Sequence, residues 1–217
     1  MLERMSDFFE RRLSGYDEHM LANIDGAEEF YSFTARLLPD HQGCSILDLG
    51  CGTGLELERY FALCPTARVT GIDLSHGMLD ALESKFPDKE IRLICGSYFD
   101  LPFGVDEFDA AVSVESLHHF TMDEKIPLYS KLREALKDGG YFILTDYFAE
   151  SDEDEKLCRQ KLQQLKTEQG ISDSGSYHYD TPLTEEHECE ALKEAGFSSV
   201  VVLKSWGPTS IIKAVKL

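Results

Sequence analysis

Residues 46–54 read Ile-Leu-Asp-Leu-Gly-Cys-Gly-Thr-Gly, and a second apolar run ends on Asp73, 19 positions beyond Gly54. An apolar strand that runs into a glycine-rich turn lets backbone amides approach a ligand closely. An acid at the tip of the next strand is placed to accept hydrogen bonds from two ribose hydroxyls. Glycine turns of this kind also serve as plain strand-to-helix connections. It is the acid at this distance, inside a strand–helix–strand rhythm, that points to a nucleotide-type cofactor.

The rhythm continues along the chain. Apolar runs at 45–49, 68–72, 91–95, 108–114 and 141–145 alternate with segments of helical spacing at about 54–63, 77–85 and 125–137. The last of these carries Ile126, Tyr129, Leu132 and Leu136 on one face. Asp138-Gly139-Gly140 reads as the turn into the fifth strand. Ahead of the first strand, helices are expected at 4–14 and about 25–37, separated by Gly15-Tyr16-Asp17. Beyond the fifth strand, the acidic run 151–155 reads as the first turn of a solvated helix, with Ser151 as N-cap and acids that complement the helix dipole. Residues 170–182 read as an exposed loop. A last helix at 185–195 ends at Gly196, and 200–204 and 210–215 form an antiparallel hairpin around Gly207-Pro208.

Alternating strands and helices argue for an α/β fold, a doubly wound, mostly parallel seven-stranded sheet that ends in the C-terminal antiparallel hairpin. The ligand then belongs at the carboxyl edge, where the strand order reverses around the first strand. No internal repeat or linker interrupts the sequence. Residues 1–217 are therefore expected to form one domain, with a helical lid at 1–40, a cofactor-binding core at 41–150, a helix and loop insertion at 151–182, and a C-terminal helix and hairpin at 183–217.

The glycine pattern narrows the cofactor. A nicotinamide or flavin fingerprint is G-x-G-x-x-G, and counting from Gly50 puts Leu55 where the third glycine belongs. The sequence has no G-x-x-x-x-G-K-[ST] phosphate loop. What stands here is G-x-G-x-G, with Asp48 inside the preceding strand. Together with VTGIDLSHGML (69–79), CGSYFDLPF (95–103), FDAAVSVESLHHF (108–120) and LREALKDGGYFILTD (132–146), ILDLGCGTG makes five collinear motifs. Over roughly residues 30–150 the chain resembles the class I S-adenosylmethionine-dependent methyltransferases, of the type that acts on small molecules.

The resemblance implies a site. Gly50, Cys51, Gly52 and Gly54 bring backbone against the methionyl part of S-adenosylmethionine. Asp48 organises that turn, reaches the cofactor's amino group through water, or simply caps the loop it enters. Asp73 holds the ribose, with Leu74 beside it, and Met78 either covers the adenine or is a core methionine at helical spacing. Many relatives carry an acid after the glycine of the third motif. Here Cys95-Gly96-Ser97-Tyr98 places Ser97 there, a neutral and weaker acceptor for the adenine amino group, followed by Tyr98. Val114 and Glu115 leave the fourth strand at the cofactor's reactive end, where Glu115 holds the methionyl ammonium or orients a histidine. Of His118 and His119, one is expected to face the site and the other to pack or meet solvent. In similar enzymes the second faces the acceptor, so His119 is the expected general base, unless it only caps the next helix; a pKa near 6.5 suits proton removal at neutral pH.

Methyl transfer is a displacement at a sulfonium carbon, so positioning and exclusion of water dominate. A base is needed only for an acceptor that ionises reluctantly. No His/Asp/Glu set has metal-ligand spacing, so no metal is expected. The acceptor pocket is expected from Phe8, Phe9 and Tyr16 as a lid, Asp146 and Tyr147 after the fifth strand, and Tyr177-His178-Tyr179. Aromatics so placed either enclose a small, partly apolar acceptor or pack on the surface.

Composition bears on compartment and partners. The 217 residues, 42% hydrophobic and 28% charged, suit a globular protein with a sizeable core. No apolar run nears the ~20 residues of a membrane helix, and MLERMSDFFERRL is too charged for a signal peptide, so a cytoplasmic protein is expected. Cys44, Cys51, Cys64, Cys95, Cys158 and Cys189 lack C-x-x-C spacing and read as reduced, mostly buried thiols. A net charge of −19 argues against a polyanionic substrate, because phosphate binding relies on lysines and arginines.

The expected reaction is methyl transfer from S-adenosylmethionine to a small-molecule acceptor, leaving S-adenosylhomocysteine. A monomer or homodimer with no nucleic-acid or membrane partner is expected to carry it out. Two alternatives remain. The layout after the fifth strand also resembles the carboxy-S-adenosylmethionine synthases linked to tRNA modification, which need a carboxylate-binding arginine; the candidates are Arg11, Arg12, Arg133 and Arg159. The other is a non-catalytic cofactor-binding subunit that supports a partner. An enclosed pocket beside the sulfonium favours an enzyme, and a flat open surface favours the subunit.

Overall fold

A computed structural model describes residues 1–172 and 175–217. Strands β1 (Ser45–Leu49), β2 (Arg68–Asp73), β3 (Glu90–Cys95), β4 (Phe108–Val114), β5 (Leu136–Tyr147), β6 (Ser199–Trp206) and β7 (Thr209–Val215) form one sheet in the order β3-β2-β1-β4-β5-β7-β6. Pairing is parallel from β3 to β5, and β7 runs antiparallel to both its neighbours. All five residues of β1 are buried, as expected of a parallel strand covered on both faces, and its sequence is accordingly nearly continuous in apolar residues. Strand order reverses at β1, between β2 and β4, which opens a crevice at the carboxyl ends.

Helices α1 (Met5–Arg12), α2 (Tyr16–Asn23) and α3 (Ala27–Leu37) precede the sheet; α4 (Leu55–Leu63), α5 (His76–Lys85), α6 (Met122–Ala135), α7 (Asp152–Glu168) and α8 (Glu185–Glu194) follow within it. Two apolar clusters form, divided by the alternation of strand side chains. Leu47, Leu49, Phe142 and Leu144 pack with Leu128, Tyr129 and Leu132 of α6 and Ala191 and Leu192 of α8. Ile46, Ala110, Val112 and Ile143 pack with Phe30 and Tyr31 of α3 and Leu57 and Tyr60 of α4.

The structure corrects several local expectations. Gly15-Tyr16-Asp17 does not open a long break, because Gly15 adopts φ +85° and turns the chain directly into α2. Asp138-Gly139-Gly140 is a bulge inside β5 rather than a turn before it: pairing jumps from Phe108 with Leu136 to Ala110 with Tyr141. Leu136 therefore belongs to the strand, and α6 stops at Ala135.

Ser151 caps α7 by accepting from the Asp154 amide. Glu155, however, is buried and accepts from the Thr184 amide (2.9 Å) and from His187 Nδ1 (2.8 Å). Asp173 and Ser174, within the expected exposed loop, lie outside the described residues. Around them the segment is largely tucked in. Thr181 and Pro182 are buried, and Ser176 and His178 exchange backbone hydrogen bonds with Met5 and Glu3. Three of the six thiols are buried; Cys95 is exposed, and Cys158 and Cys189 are half-buried. Among the described residues no helix is long and apolar enough to cross a membrane.

Candidate active site

The glycine loop is bonded to the tip of β2. The Gly50 amide donates to Ile72 O (2.8 Å), the Gly52 amide to Asp73 Oδ2 (2.9 Å) and the Ser75 amide to Asp73 Oδ1 (2.9 Å). Burial pushes the Asp73 carboxyl up, and these amides oppose that shift. Gly50 has φ +73°, and a Cβ there would collide with the Ser116 hydroxyl. Gly52 has φ +48°, and a Cβ there would meet nothing within 4 Å.

That open space adjoins a cavity of about 40 Å³. Gly50, Gly52, Asp73, Leu74, Met78, Tyr98, Glu115 and His119 all line it. Met5, Phe9 and Tyr16 close it from the N-terminal helices, and Ser116 completes the wall. The other expected cofactor residues lie elsewhere. Cys51 packs under the loop against Gly71, and Gly54 starts α4 against Leu82 and Phe86. Val114 is in the apolar core. The Ser97 hydroxyl accepts from the Phe99 amide at 3.2 Å.

Asp48 lies behind the loop, fully buried beside Glu56 of α4. Asp48 Oδ2 and Glu56 Oε1 have no hydrogen-bond partner among the described residues. Burial and the Glu56 charge push Asp48 well above the usual carboxylate range, so the pair holds a proton. In sequence Glu56 looks like an acid complementing the start of a helix, which hides its burial.

The N-terminal helices are fastened at two points. Glu10 Oε2 accepts from Ser75 Oγ (2.7 Å) and the Gly77 amide (3.1 Å), and Lys85 Nζ lies 2.8 Å from Asp17 Oδ2. Thr53 Oγ1 also donates to Asp17.

At the exit of β4, Glu115 adopts φ +50°, a left-handed conformation that costs a non-glycine residue about 1–3 kcal/mol. Its Oε1 accepts from Thr209 Oγ1 (3.2 Å), and burial with the Asp146 charge pushes its pKa up to about 8. A 3₁₀ turn at Leu117–His119 then sets two histidine rings side by side, 4.0 Å between centroids. Both are buried, so neither packs outward to solvent.

His118 Nδ1 lies 2.6 Å from Asp146 Oδ1, and His118 Nε2 lies 3.6 Å from Asp180 Oδ1. His119 Nδ1 lies 3.1 Å from the same Asp180 oxygen. Burial works to lower the His118 pKa, but the Asp146 charge and hydrogen bond outweigh it; burial and the His118 charge push His119 down to about 4. Asp180, 62 residues beyond His118, was missed by sequence reasoning; its one signal is adjacency to Tyr177-His178-Tyr179.

A second cavity, about 240 Å³, shares Phe9, Tyr16, Glu115 and His119 with the first and adds Phe8, Tyr147 and His178. His178 stacks on Phe8 with centroids 3.4 Å apart. Of the four arginine candidates, Arg12 borders this cavity, with its guanidinium over the Phe8 ring at 4.5 Å. Arg11 pairs with Glu3, Arg159 with Glu155, and Arg133 lies beside Gly196.

The sheet order and the glycine-loop cavity define a class of protein, the Rossmann-like α/β folds that hold a cofactor at the carboxyl ends of the strands. Residues 46–140 match the family model of the methyltransferase domain. Over those residues the chain carries a methyltransferase domain, and with its sheet order it resembles the class I S-adenosylmethionine-dependent methyltransferases. It is similar to erythromycin 3''-O-methyltransferase of Saccharopolyspora erythraea, 29% identical over 87% of this chain and 62% of that protein. It is also similar to the tRNA (carboxymethyluridine(34)-5-O)-methyltransferase of Arabidopsis thaliana, 30% identical over 54% of this chain and 27% of that one. Three further curated relatives, 32–35% identical, match over only 19–38% of their own length, so the chain spans less than half of them. Phosphoethanolamine N-methyltransferase 2 of Haemonchus contortus, solved with S-adenosylmethionine, shares the fold: TM-score 0.72 at 17% identity, over 97% of this chain and 59% of that one.

Proposed function

We propose that this protein transfers the methyl group of S-adenosylmethionine to a small-molecule acceptor held in the second cavity. The shared wall of the two cavities carries this reading. Phe9, Tyr16, Glu115 and His119 border both, so an acceptor in one meets the reactive end of a cofactor in the other. The residues fit the cofactor: space opens at Gly52, Asp73 stands at the loop, and an orphaned oxygen of Asp48 lies behind it.

When bound, S-adenosylmethionine supplies an electrophilic methyl group on a sulfonium. The chain does the rest. Gly50, Cys51, Gly52 and Gly54 shape the backbone cradle, with Asp48 behind it. Asp73 accepts from the ribose hydroxyls, flanked by Leu74. Met78 and Tyr98 enclose the adenine end, while the Ser97 hydroxyl is engaged by the Phe99 amide outside the cavity lining. Glu115 positions the sulfonium end, with Val114 in the core behind it, and Met5, Phe9 and Tyr16 exclude water from it. His119 is assigned to the acceptor because it touches both cavities.

Two concave, partly open cavities meeting at Glu115 and His119, in place of a flat surface, support an enzyme over a supporting subunit. Aromatic walls with Glu115, Asp146 and Asp180 nearby, on a chain of net charge −19, support a small acceptor over nucleic acid. The carboxy-S-adenosylmethionine alternative rests on Arg12, which borders the second cavity with its guanidinium over the Phe8 ring.

The test is calorimetry and thermal unfolding with S-adenosylhomocysteine, followed by hydroxyl, amine and thiol acceptor panels read by S-adenosylhomocysteine formation. At ~100 times its dissociation constant the ligand should stabilise the fold by about 2.7 kcal/mol, and NAD should not. His119→Ala should lower turnover with little change in cofactor affinity, by less than the ~10²–10⁴-fold of a well-matched general base, because burial and the His118 charge hold its pKa at about 4 rather than the expected value near 6.5. Stabilisation by NAD alone, or equal loss of turnover in a variant remote from both cavities, overturns the reading.

A further inference from the structure

We propose that His118, His119 and Asp180 form a binding site for a divalent transition-metal ion at the wall of the acceptor cavity. The ion's use rests on the methyltransferase reading above; its binding does not.

Three ligand atoms converge although no local spacing announces them. One ligand atom from each of His118, His119 and Asp180 lies within 4.8 Å of the other two, and Asp180 Oδ1 is 3.6 Å from His118 Nε2 and 3.1 Å from His119 Nδ1. Donors held about 2.1 Å from one ion stand roughly 3.0–3.4 Å apart at octahedral or tetrahedral angles. The two carboxylate–nitrogen separations therefore need adjustments of a few tenths of an ångström, and the two nitrogens must stand within about 3.4 Å of each other. Adjacent residues on a strand point to opposite faces; the 3₁₀ turn instead aims both rings at one oxygen.

The surroundings are those of a supported site. His118 Nδ1 bonds to Asp146 Oδ1 at 2.6 Å, so that the neutral ring with its proton on Nδ1 would present the Nε2 lone pair toward Asp180. Metal-ligating histidines characteristically donate their other ring nitrogen to a carboxylate in this way. Asp146 is itself held by the Leu117 and Tyr147 amides, at 2.8 and 3.0 Å. The Asp180 loop is anchored where the Thr181 amide donates to His118 O at 2.9 Å.

Two imidazoles and one carboxylate favour zinc, cobalt, nickel or iron over magnesium or calcium, and three protein ligands leave positions for water or substrate. Such an ion would take an acceptor hydroxyl or thiol as a further ligand and lower its pKa, its proton passing to bulk water. The competing arrangement is an imidazolium at His118 shared between Asp146 and Asp180.

The test titrates chelator-stripped full-length protein with zinc by calorimetry and with cobalt by absorption, S-adenosylhomocysteine binding being measured on the same sample. One ion per chain is expected, with a cobalt spectrum lacking thiolate charge transfer. Asp180→Ala and His119→Ala should each weaken binding at least about tenfold, and Asp146→Asn about 10–100-fold. Asp180→Ala should keep its circular dichroism and its S-adenosylhomocysteine affinity. Absence of stoichiometric binding, or binding that survives Asp180→Ala and His119→Ala, overturns the site. If S-adenosylhomocysteine still binds in that case, the ion alone is discarded and the methyltransferase reading stands.

Discussion

Glu10 Oε2 accepts a 2.7 Å hydrogen bond from Ser75 Oγ, so a side chain of α1 is fixed to the N-terminus of α5 across the mouth of the cofactor cavity. The Gly77 amide donates to the same oxygen, and the positive end of the α5 dipole favours an acid there. Removing this latch should loosen the lid without touching the cavity floor. Glu10→Ala is expected to raise hydrogen exchange in residues 5–12 and to speed S-adenosylhomocysteine release several-fold. Unchanged exchange would mean that the packing of Met5 and Phe9 alone holds α1 down.

Asp73 joins the glycine loop to α5 through the Gly52 and Ser75 amides. Asp73→Ala leaves both donors without this acceptor and removes the proposed ribose contact. Hydrogen bonds to charged groups contribute about 1.5–3 kcal/mol each, so S-adenosylhomocysteine affinity should fall at least about tenfold by calorimetry. Retained affinity would remove Asp73 from the cofactor site.

Asp48 provides a test by pH. Burial and the nearby Glu56 and Asp73 raise its pKa, while Lys85 and Arg59 act on Glu56 in the opposite direction. A carboxyl whose folded pKa exceeds its unfolded value contributes fully below the ordinary carboxylate range, and that contribution is lost as pH rises through the folded value. The wild-type chain should therefore lose stability relative to Asp48→Asn from weakly acidic pH upward. Urea unfolding of both proteins at about pH 5, 7 and 9 should show a widening gap; a constant gap would place the proton elsewhere.

Lys125 and Glu188 join α6 to α8 through Nζ and Oε2 2.5 Å apart, each side chain 1% exposed, and the Tyr129 hydroxyl donates to Glu188 Oε1. Lys125→Met leaves a buried carboxylate without its counter-charge, which should cost about 3–5 kcal/mol in urea unfolding. Adding Glu188→Gln should recover most of that loss, since the uncompensated charge is gone.

With a net charge of −19, association with tRNA or duplex DNA should be unmeasurable near physiological salt, where nonspecific binders reach roughly 10⁻⁴–10⁻⁶ M. Anisotropy titrations at two salt concentrations check this. Tight, salt-sensitive binding would make nucleic acid the acceptor.

Local pattern sufficed where the physics is local. The apolar runs 45–49 and 108–114 coincide with β1 and β4 because a parallel strand covered on both faces tolerates few polar residues. The glycine loop, the caps at Ser151 and Gly196, and the closing hairpin were equally legible, since each reflects a backbone requirement of a few neighbouring residues. α2 was not, because one left-handed glycine decides whether a helix ends or restarts.

The site divides in the same way. The sequence by itself determined the nucleotide loop and Asp73, whose spacing follows from one strand–helix–strand unit. Only the tertiary structure decided that Asp180 reaches both His118 and His119, that Glu56 lies against Asp48, and that Glu155 and Lys125 are buried. Periodicity reports which face of an element turns inward but not which side chain from a distant segment meets it there. An acid in the first turn of a helix complements the dipole equally well whether it ends in water or in the core.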